Sequence, residues 1–319
     1  MGRYIAGLLD ALAALEPEGL RVRPLFQPGA PSRGLRALVK GLPGAYVLAE
    51  AARAVRLEGE RRRGLTVYHE TNHAAPDFAG PVVLTVHDLS TVLHAETQPS
   101  ARVRHFSRAL REKAKNAARV ITPTQAIARE VCEHLGVQPE RVRAIHHGVD
   151  ARFTPGQRPR EGFVLFSGAH DPRKGIDTLL AALPSGAELV LAGPGHLPAL
   201  GVRAVGYVTD DELLDLYRSA AVVVLPSLYE GFGLPVIEAM ACGTPCIASD
   251  DPALVEVSGG AAIHVPRGDA GALHKALETV LGDAVLRDEL SRKGLARVKA
   301  FRWDECAARH VEAYREAAE

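Results

Sequence analysis

The sequence predicts an α/β protein of two domains, each built on a mostly parallel sheet. Three observations lead there. The 319 residues exceed a single average core, so two units of about 150 residues are the prior. Short apolar runs alternate with helical patterns along the whole chain, as expected where helices connect parallel strands. The alternation breaks once, at Arg152-Phe153-Thr154-Pro155-Gly156-Gln157-Arg158-Pro159-Arg160, which has two prolines, a glycine and no apolar periodicity.

Composition excludes several classes. Hydrophobic residues make up 47% and charged residues 24%, values of a globular protein rather than a disordered chain or a fibre. No run of 18 apolar residues and no secretory signal is found, and Cys132, Cys242, Cys246 and Cys306 lack metal-ligand or disulfide-framework spacing. Buried reduced thiols and a cytoplasmic location are therefore expected. The zero formal net charge hides an asymmetry: residues 1–150 carry 21 Lys+Arg against 15 Asp+Glu, and residues 151–319 carry 17 against 23. Arg33, Arg36, Lys40, Arg53, Arg56 and Arg61-Arg62-Arg63, interleaved with leucines and valines, form a basic amphipathic stretch. It reads either as a contact for an anionic membrane surface or anionic acceptor, or as a solvated helix face.

Taken in order, the chain opens on a helix with Ile5, Leu8, Leu9, Leu12 and Leu15 on one stripe, and no strand precedes it. Val22 to Phe26 reads as a strand, followed by a Pro/Gly/Arg loop and helical segments to about Glu60. Strands follow at Leu65 to His69 and Val82 to Val86, the second ending in His87-Asp88-Leu89. A helix from Ala101 to Ala117, a strand at Val120-Ile121, a helix from Gln125 to Leu135 and a strand near Val142 to Ile145 complete the first series. Beyond the linker come a strand at Phe163 to Phe166, a helix at Ile176 to Leu183, strands at Leu189 to Ala192 and Val202 to Val205, a helix at Asp210 to Ser219 and a strand at Ala221 to Leu225. After a further strand at Ala261 to Val265, three helices close the chain: Ala270 to Leu281, Leu286 to Lys299 and Trp303 to Ala318.

Two strand ends carry the chemistry. After Ala221 to Leu225, Glu230 and Glu238 stand eight residues apart with Gly231, Phe232 and Gly233 between them. Pro235 suits a first helical turn, and Gly243 with Pro245 supplies its stop. Glu230 then lies on the loop at the strand's carboxyl end and Glu238 about one turn into the helix. Both can face the crevice where open parallel sheets bind ligands. After Phe163 to Phe166 comes Ser167-Gly168-Ala169-His170-Asp171-Pro172-Arg173-Lys174-Gly175, a glycine turn with two adjacent cations near a helix amino end, suited to a phosphate. Cations beside hydroxyl-accepting carboxylates match a sugar nucleotide.

Pro226 to Pro245 resembles the E-x7-E signature of the family 4 retaining glycosyltransferases. His87-Asp88-Leu89, His147-Gly148-Val149-Asp150, Arg173-Lys174, Gly206-Tyr207-Val208 and Phe301-Arg302-Trp303 match in register, so the resemblance spans almost the whole chain. It implies a GT-B fold: an acceptor-side Rossmann-like domain over 1–153, a nucleotide-sugar domain over 154–300, and a helix over 301–319 crossing back to the first. It further implies that Glu238 binds the donor ribose, Glu230 a hydroxyl of the transferred sugar, and Arg173 and Lys174 the diphosphate. The backbone of Gly231, Phe232, Gly233 and Leu234 would contact sugar and phosphates, Gly168 would open the phosphate turn, Tyr207 and Val208 would lie near the base, and His87 would approach the sugar from the first domain. Such enzymes generally need no metal ion, and no cofactor beyond the donor substrate is expected.

Similar chains usually begin with a strand and a glycine-rich loop leading into the helix that here starts near Gly2. The first domain is therefore expected to lack its first strand. The resulting reading is transfer of a mannose- or glucose-like hexose from a nucleoside diphosphate to a glycan or lipid-linked acceptor, with no nucleic-acid partner. A non-catalytic nucleotide-sugar-binding subunit and a sugar-nucleotide epimerase on the same scaffold are the alternatives.

Overall fold

The computed structural model describes residues 2–24, 55–71, 77–94, 100–156, 162–195 and 201–319. The first domain opens on α1 (Gly2–Leu15) and continues through β1 (Tyr68–Glu70), β2 (Val82–Thr85), α2 (Ser90–Leu93), α3 (Ser100–Asn116), β3 (Arg119–Thr122), α4 (Gln125–Leu135) and β4 (Val142–Ala144). Its sheet has the order β1-β2-β3-β4, with every neighbouring pair parallel. Val22 to Pro24 form no strand, so the first of the expected strands is not made there; the rest of that segment, Leu25 and Phe26, lies outside the described residues.

The second domain contains β5 (Val164–Ser167), α5 (Ile176–Ala182), β6 (Leu189–Ala192), β7 (Val202–Gly206), α6 (Asp210–Ser219), β8 (Val222–Leu225), α7 (Leu234–Ala241), β9 (Cys246–Ser249), α8 (Pro252–Ser258), β10 (Ile263–Val265), α9 (Ala270–Gly282) and α10 (Ala284–Arg297). Six parallel strands run in the order β10-β9-β8-β5-β6-β7. The pair β9 and α8 extends the expected alternation.

The inner strands β2, β5, β6 and β8 read as nearly unbroken apolar runs because both sheet faces are covered there, while the pleat sends alternate residues to opposite sides. In the first sheet Leu84 and Val120 meet Leu110, Ala114, Ile127 and Val131 of α3 and α4. Their neighbours Val83 and Ile121 meet Tyr4, Leu8 and Leu12 of α1. In the second, Leu165, Val190 and Val223 pack under α6 and α7, whereas Val164, Leu189 and Val222 pack under α5 and α9. The stripe of the opening helix thus buries Leu8 and Leu12. Cys242, Cys246 and Cys306 are buried free thiols; Cys132 is half-buried.

The last helix, α11 (Trp303–Ala318), returns to the first domain, where Cys306, Ala307, Val311 and Tyr314 share a core with α1. The single Trp303 lies in a slot that only glycine permits: a Cβ at Gly7 or Gly148 would stand 2.3 or 2.5 Å from indole carbons. Val149 N donates to Phe301 O at 3.1 Å, and His147 stacks on Trp303. The sequence segments at 147–150 and 301–303 therefore meet.

A buried hydrogen-bond chain fastens this junction. His310 Nδ1 lies 2.7 Å from the carbonyl of Cys306, which can only accept, so the proton is on Nδ1 and the neutral ring's Nε2 must accept. Tyr4 OH, 2.9 Å away, therefore donates to Nε2 and accepts from Thr85 Oγ1 at 3.1 Å. Thr85 in turn accepts from His69 Nε2 at 2.7 Å, leaving His69 Nδ1 to accept from Tyr314 OH at 2.7 Å. Each donor is assigned once, and both imidazoles are neutral.

Burial depresses the pKa of His69 well below its ordinary value and that of His310 to about 4. The unfolded chain takes up a proton on His310 near pH 6.5, the folded one only near 4. This stability is complete above pH 6.5 and is lost as pH falls from 6.5 toward 4. Urea denaturation is expected to show a fall in unfolding free energy from pH 7.5 to 4.5 that His310→Gln reduces by on the order of 2 kcal/mol. Parallel pH curves for the two proteins would contradict the buried neutral histidine.

Candidate functional site

The strand order reverses beside β5: the chain runs from β5 outward through β6 and β7, then returns to place β8 on the other flank. At such a switch point the loops leaving two adjacent strands diverge to opposite faces and leave a crevice at their carboxyl ends. Residues 168–175 leave β5 and residues 226–233 leave β8, so both expected motifs border one crevice. Leu228 N donates to Arg173 O at 2.7 Å, tying the two loops together.

Within the crevice Lys174 Nζ lies 2.6 Å from Glu230 Oε1, which also accepts from Ser227 Oγ at 2.8 Å. No donor among the described residues reaches Glu230 Oε2. Arg173 pairs through Nη2 with Asp171 Oδ2 at 3.1 Å, while its Nε is buried with no hydrogen-bond partner among the described residues. An orphaned buried guanidinium N–H costs free energy unless an acceptor arrives, and it points to an anion as the missing partner. The Arg173-Lys174 pair lies on a 3₁₀ turn, Pro172–Lys174, and the N–H of Arg173 is already capped by Asp171 Oδ1. Asp171 takes it because an aspartate at that position bonds the N–H two residues on. The helix α5 that follows begins at Ile176 with no side-chain cap, so both cations stand beside a helix amino end, as the sequence predicts.

Glu238 lies one turn into α7, as its spacing predicted, and is only 2% exposed. Its Oε2 accepts from Tyr217 OH at 2.9 Å, and its Oε1 accepts from Arg3 Nη1 at 2.5 Å. Burial pushes the Glu238 carboxyl up, while Arg3 and Tyr217 pull it down. Asp251, at the start of α8, is likewise pushed up by burial, to about 6, against hydrogen bonds from the N–H groups of Leu254 and Ala253; it also accepts from Glu230 N at 3.3 Å.

The loop after β8 is seated against the first domain. A Cβ at Gly231 would stand 1.9 Å from the carbonyl oxygen of His87, so only glycine allows this approach. Thr124 Oγ1 donates to Gly231 O at 3.1 Å. Tyr229 is buried in the core of the first domain, where its hydroxyl donates to Glu130 at 2.7 Å and accepts from Leu89 N at 2.8 Å. Glu256 of α8 accepts from Gln125 N at 2.8 Å and Ala126 N at 3.0 Å, placing a carboxylate on the amino end of α4, and it pairs with His146 at 2.8 Å.

The remaining expected residues divide. His87 is at this junction, its Nε2 3.0 Å from Thr71 O and its ring against Tyr4. Phe232 turns its side chain into a cluster with His147 and Phe301, so only its backbone is available to a ligand. Gly233 takes φ 86° to start α7, with Leu234 as the first helical residue. Gly168 follows β5 and donates its N–H to Ala192 O. Tyr207 is 85% exposed and Val208 packs on the core of the second domain. Arg61 and Arg62 bond Glu58, and Arg63 bonds Glu60, as on a solvated helix face; Arg33 to Arg53 lie outside the described residues. Arg3, Tyr217, Ser227, Asp251 and Glu256 were not singled out from the sequence. Ser227 stands three residues from its partner Glu230, but the site partners of the other four lie 21 to 235 residues away, and local spacing holds no trace of them.

Among the described residues, no group of three or more His, Cys, Asp or Glu could hold a metal ion, and no helix is long and apolar enough to cross a membrane. The family model described as Glycosyltransferase Family 4 matches residues 2–153, and that described as Glycosyl transferases group 1 matches residues 161–283. An O-antigen chain mannosyltransferase B of Escherichia coli is 30% identical over 281 residues, 78% of this chain and 74% of the relative. A D-inositol 3-phosphate glycosyltransferase of Streptomyces bingchenggensis is 32% identical over 76% of this chain, which spans only 63% of that relative's length. In fold, the chain is similar to sucrose-phosphate synthase of Thermosynechococcus elongatus (TM-score 0.75, 24% identity, 98% of this chain and 92% of the other). It is also similar to HepE of Anabaena, solved with UDP-glucose (TM-score 0.60, 19% identity, 73% and 72%).

Gly231→Ala is expected to destabilise the protein by about 2 kcal/mol, as overpacking does, and to make the loop around residue 231 cleavable by protease. Wild-type stability and resistance in that variant would contradict the close approach.

Proposed function

We propose, from the premise that the chain belongs to the group 1 glycosyltransferases of family 4, that it moves a hexose from a nucleoside diphosphate to a glycan or lipid-linked acceptor with retention at the anomeric carbon. The observation that carries this reading is the pairing of Lys174 with Glu230 beside the orphaned Nε of Arg173, in the crevice where β5 and β8 part. Arg173 and Lys174 hold the diphosphate. Glu230 Oε2 accepts from a hydroxyl of the transferred sugar, and Glu238 accepts from the ribose. Gly168 and the backbone from Gly231 through Phe232 and Gly233 to Leu234 border the phosphates and sugar, Tyr207 and Val208 border the base, and His87 faces the sugar from the first domain. The name of the Escherichia coli relative favours mannose, and that of the Anabaena structure admits glucose.

As the bond from the anomeric carbon to the phosphate oxygen breaks, negative charge grows on the leaving diphosphate. Fixed cations in a half-buried crevice stabilise that charge more than they stabilise the bound donor. The acceptor oxygen attacks on the same face, and the departing phosphate takes its proton, so no carboxylate nucleophile is required and Glu230 is not assigned that role. The chemistry needs no metal ion, because Arg173 and Lys174 supply the positive charge. Peripheral contact with an anionic membrane would place a lipid-linked acceptor near the basic first domain.

Screening UDP, GDP, ADP and dTDP sugars for thermal stabilisation identifies the donor. With that donor, Lys174→Met and Glu230→Gln are each expected to lower kcat about 100-fold or more, the scale of one lost transition-state contact, while the melting temperature stays near that of wild type. Full transfer by either variant would overturn the site. Donor binding without transfer to any acceptor, or epimerised sugar without acceptor, would overturn the activity.

A further inference from the structure

Glu238 is a buried carboxylate held by a cation from the other domain. Arg3 sits in the first turn of α1 and reaches across the cleft, with Nη1 on Glu238 Oε1 and Nη2 on Asp210 Oδ1 at 2.7 Å. Its guanidinium rests 5.7 Å from the centroid of the Phe153 ring, in the segment joining the domains. Asp210, at the start of α6, is fixed in turn by Arg152, whose Nη2 lies 3.0 Å from Asp210 Oδ2 and 2.8 Å from Asp150 Oδ2. The charged and titratable groups facing Glu238 are therefore Arg3 from α1 and Asp210 and Tyr217 from α6.

We propose that Arg3 is a positioning residue for the donor, holding Glu238 as an ionised, oriented acceptor for the ribose diol, so that the nucleoside subsite of the second domain is completed by the first. The proposal rests on the assignment of Glu238 to the ribose made above. A carboxylate offers about four lone-pair sites. Arg3 takes one on Oε1 and Tyr217 one on Oε2, which leaves each oxygen one site, the number a vicinal diol needs. A carboxyl carrying a proton loses one of these acceptors and presents a donor instead. Burial favours that protonated state in Glu238, and Arg3 and Tyr217 act against it. Removing Arg3 leaves burial less opposed.

The test is calorimetric titration of the intact protein with whichever of UDP, GDP and ADP stabilises it most, and with the 2′-deoxy counterpart of that nucleotide, at pH 6.5 and 8.5. Wild type is expected to prefer the ribonucleotide at both pH values. Arg3→Met is expected to bind it about tenfold more weakly at pH 6.5, the scale of one charge-assisted contact, with the preference over the deoxynucleotide largely gone and partly restored at pH 8.5. Arg3→Lys is expected to keep most of the preference at both. Since Arg3 is 38% exposed at its side chain, the variants should fold, and circular dichroism checks this. Arg3→Met with unchanged affinity, preference and pH response overturns the proposal if Glu238→Gln does lose the preference. If Glu238→Gln keeps it too, or if wild type binds none of the nucleotides, the ribose assignment itself fails and takes this inference with it.

Discussion

The crevice depends on one close approach, the backbone of Gly231 against the carbonyl of His87. Nothing larger than glycine fits there, and the residues on either side exploit the contact: Tyr229 is buried in the first domain's core, and Thr124 donates to Gly231 O. A loop that leaves β8 of one sheet is thereby held by the carboxyl edge of the other. Glu230 inherits a defined position from it, since its own N–H is bonded to Asp251 and its carboxylate to Lys174 and Ser227. Strand order explains why the loop emerges beside residues 168–175, and the glycine explains why it stays pressed to the first domain.

Around that contact, charge is buried in matched sets. Half-burying a carboxylate without a partner would cost several kcal/mol, and each one here has partners from more than one element. Glu238 has Arg3 and Tyr217, Glu230 has Lys174 and Ser227, and Glu256 has His146 and the amino end of α4. Such pairs are a weak source of stability, because desolvation offsets most of the attraction. Their value lies in orientation: Arg3 with Glu238 and Glu256 with α4 link the two domains, and Lys174 with Glu230 links the two loops. The exception supports the same reading: Arg173 Nε is buried without a partner among the described residues.

Local rules made most of the fold legible in the sequence. Strands buried on both faces are apolar throughout, and the glycine turns after β5 and β8 stand out against them. What escaped has two causes, weak local signals and contacts between residues distant along the chain. β9, Cys246–Ser249, is a four-residue apolar run that follows a helix stop and merges with the motif before it, and α8 is short and half apolar. At the turn before α5 the sequence shows the cations Arg173 and Lys174 but not that Asp171 folds back to cap the Arg173 N–H. The carboxylates of the site could be read from spacing, whereas the Arg3–Glu238 pair and the Gly231–His87 approach are consequences of packing two domains together, and Tyr217 reaches Glu238 from the neighbouring helix α6.

The central claim is that a nucleoside diphosphate sugar binds where β5 and β8 part. A crystal structure of the protein with the donor's nucleoside diphosphate tests it most directly. Phosphate oxygens are expected within hydrogen-bond distance of Arg173 Nε and Lys174 Nζ, with the ribose hydroxyls on Glu238. A nucleotide bound away from all three residues would contradict it.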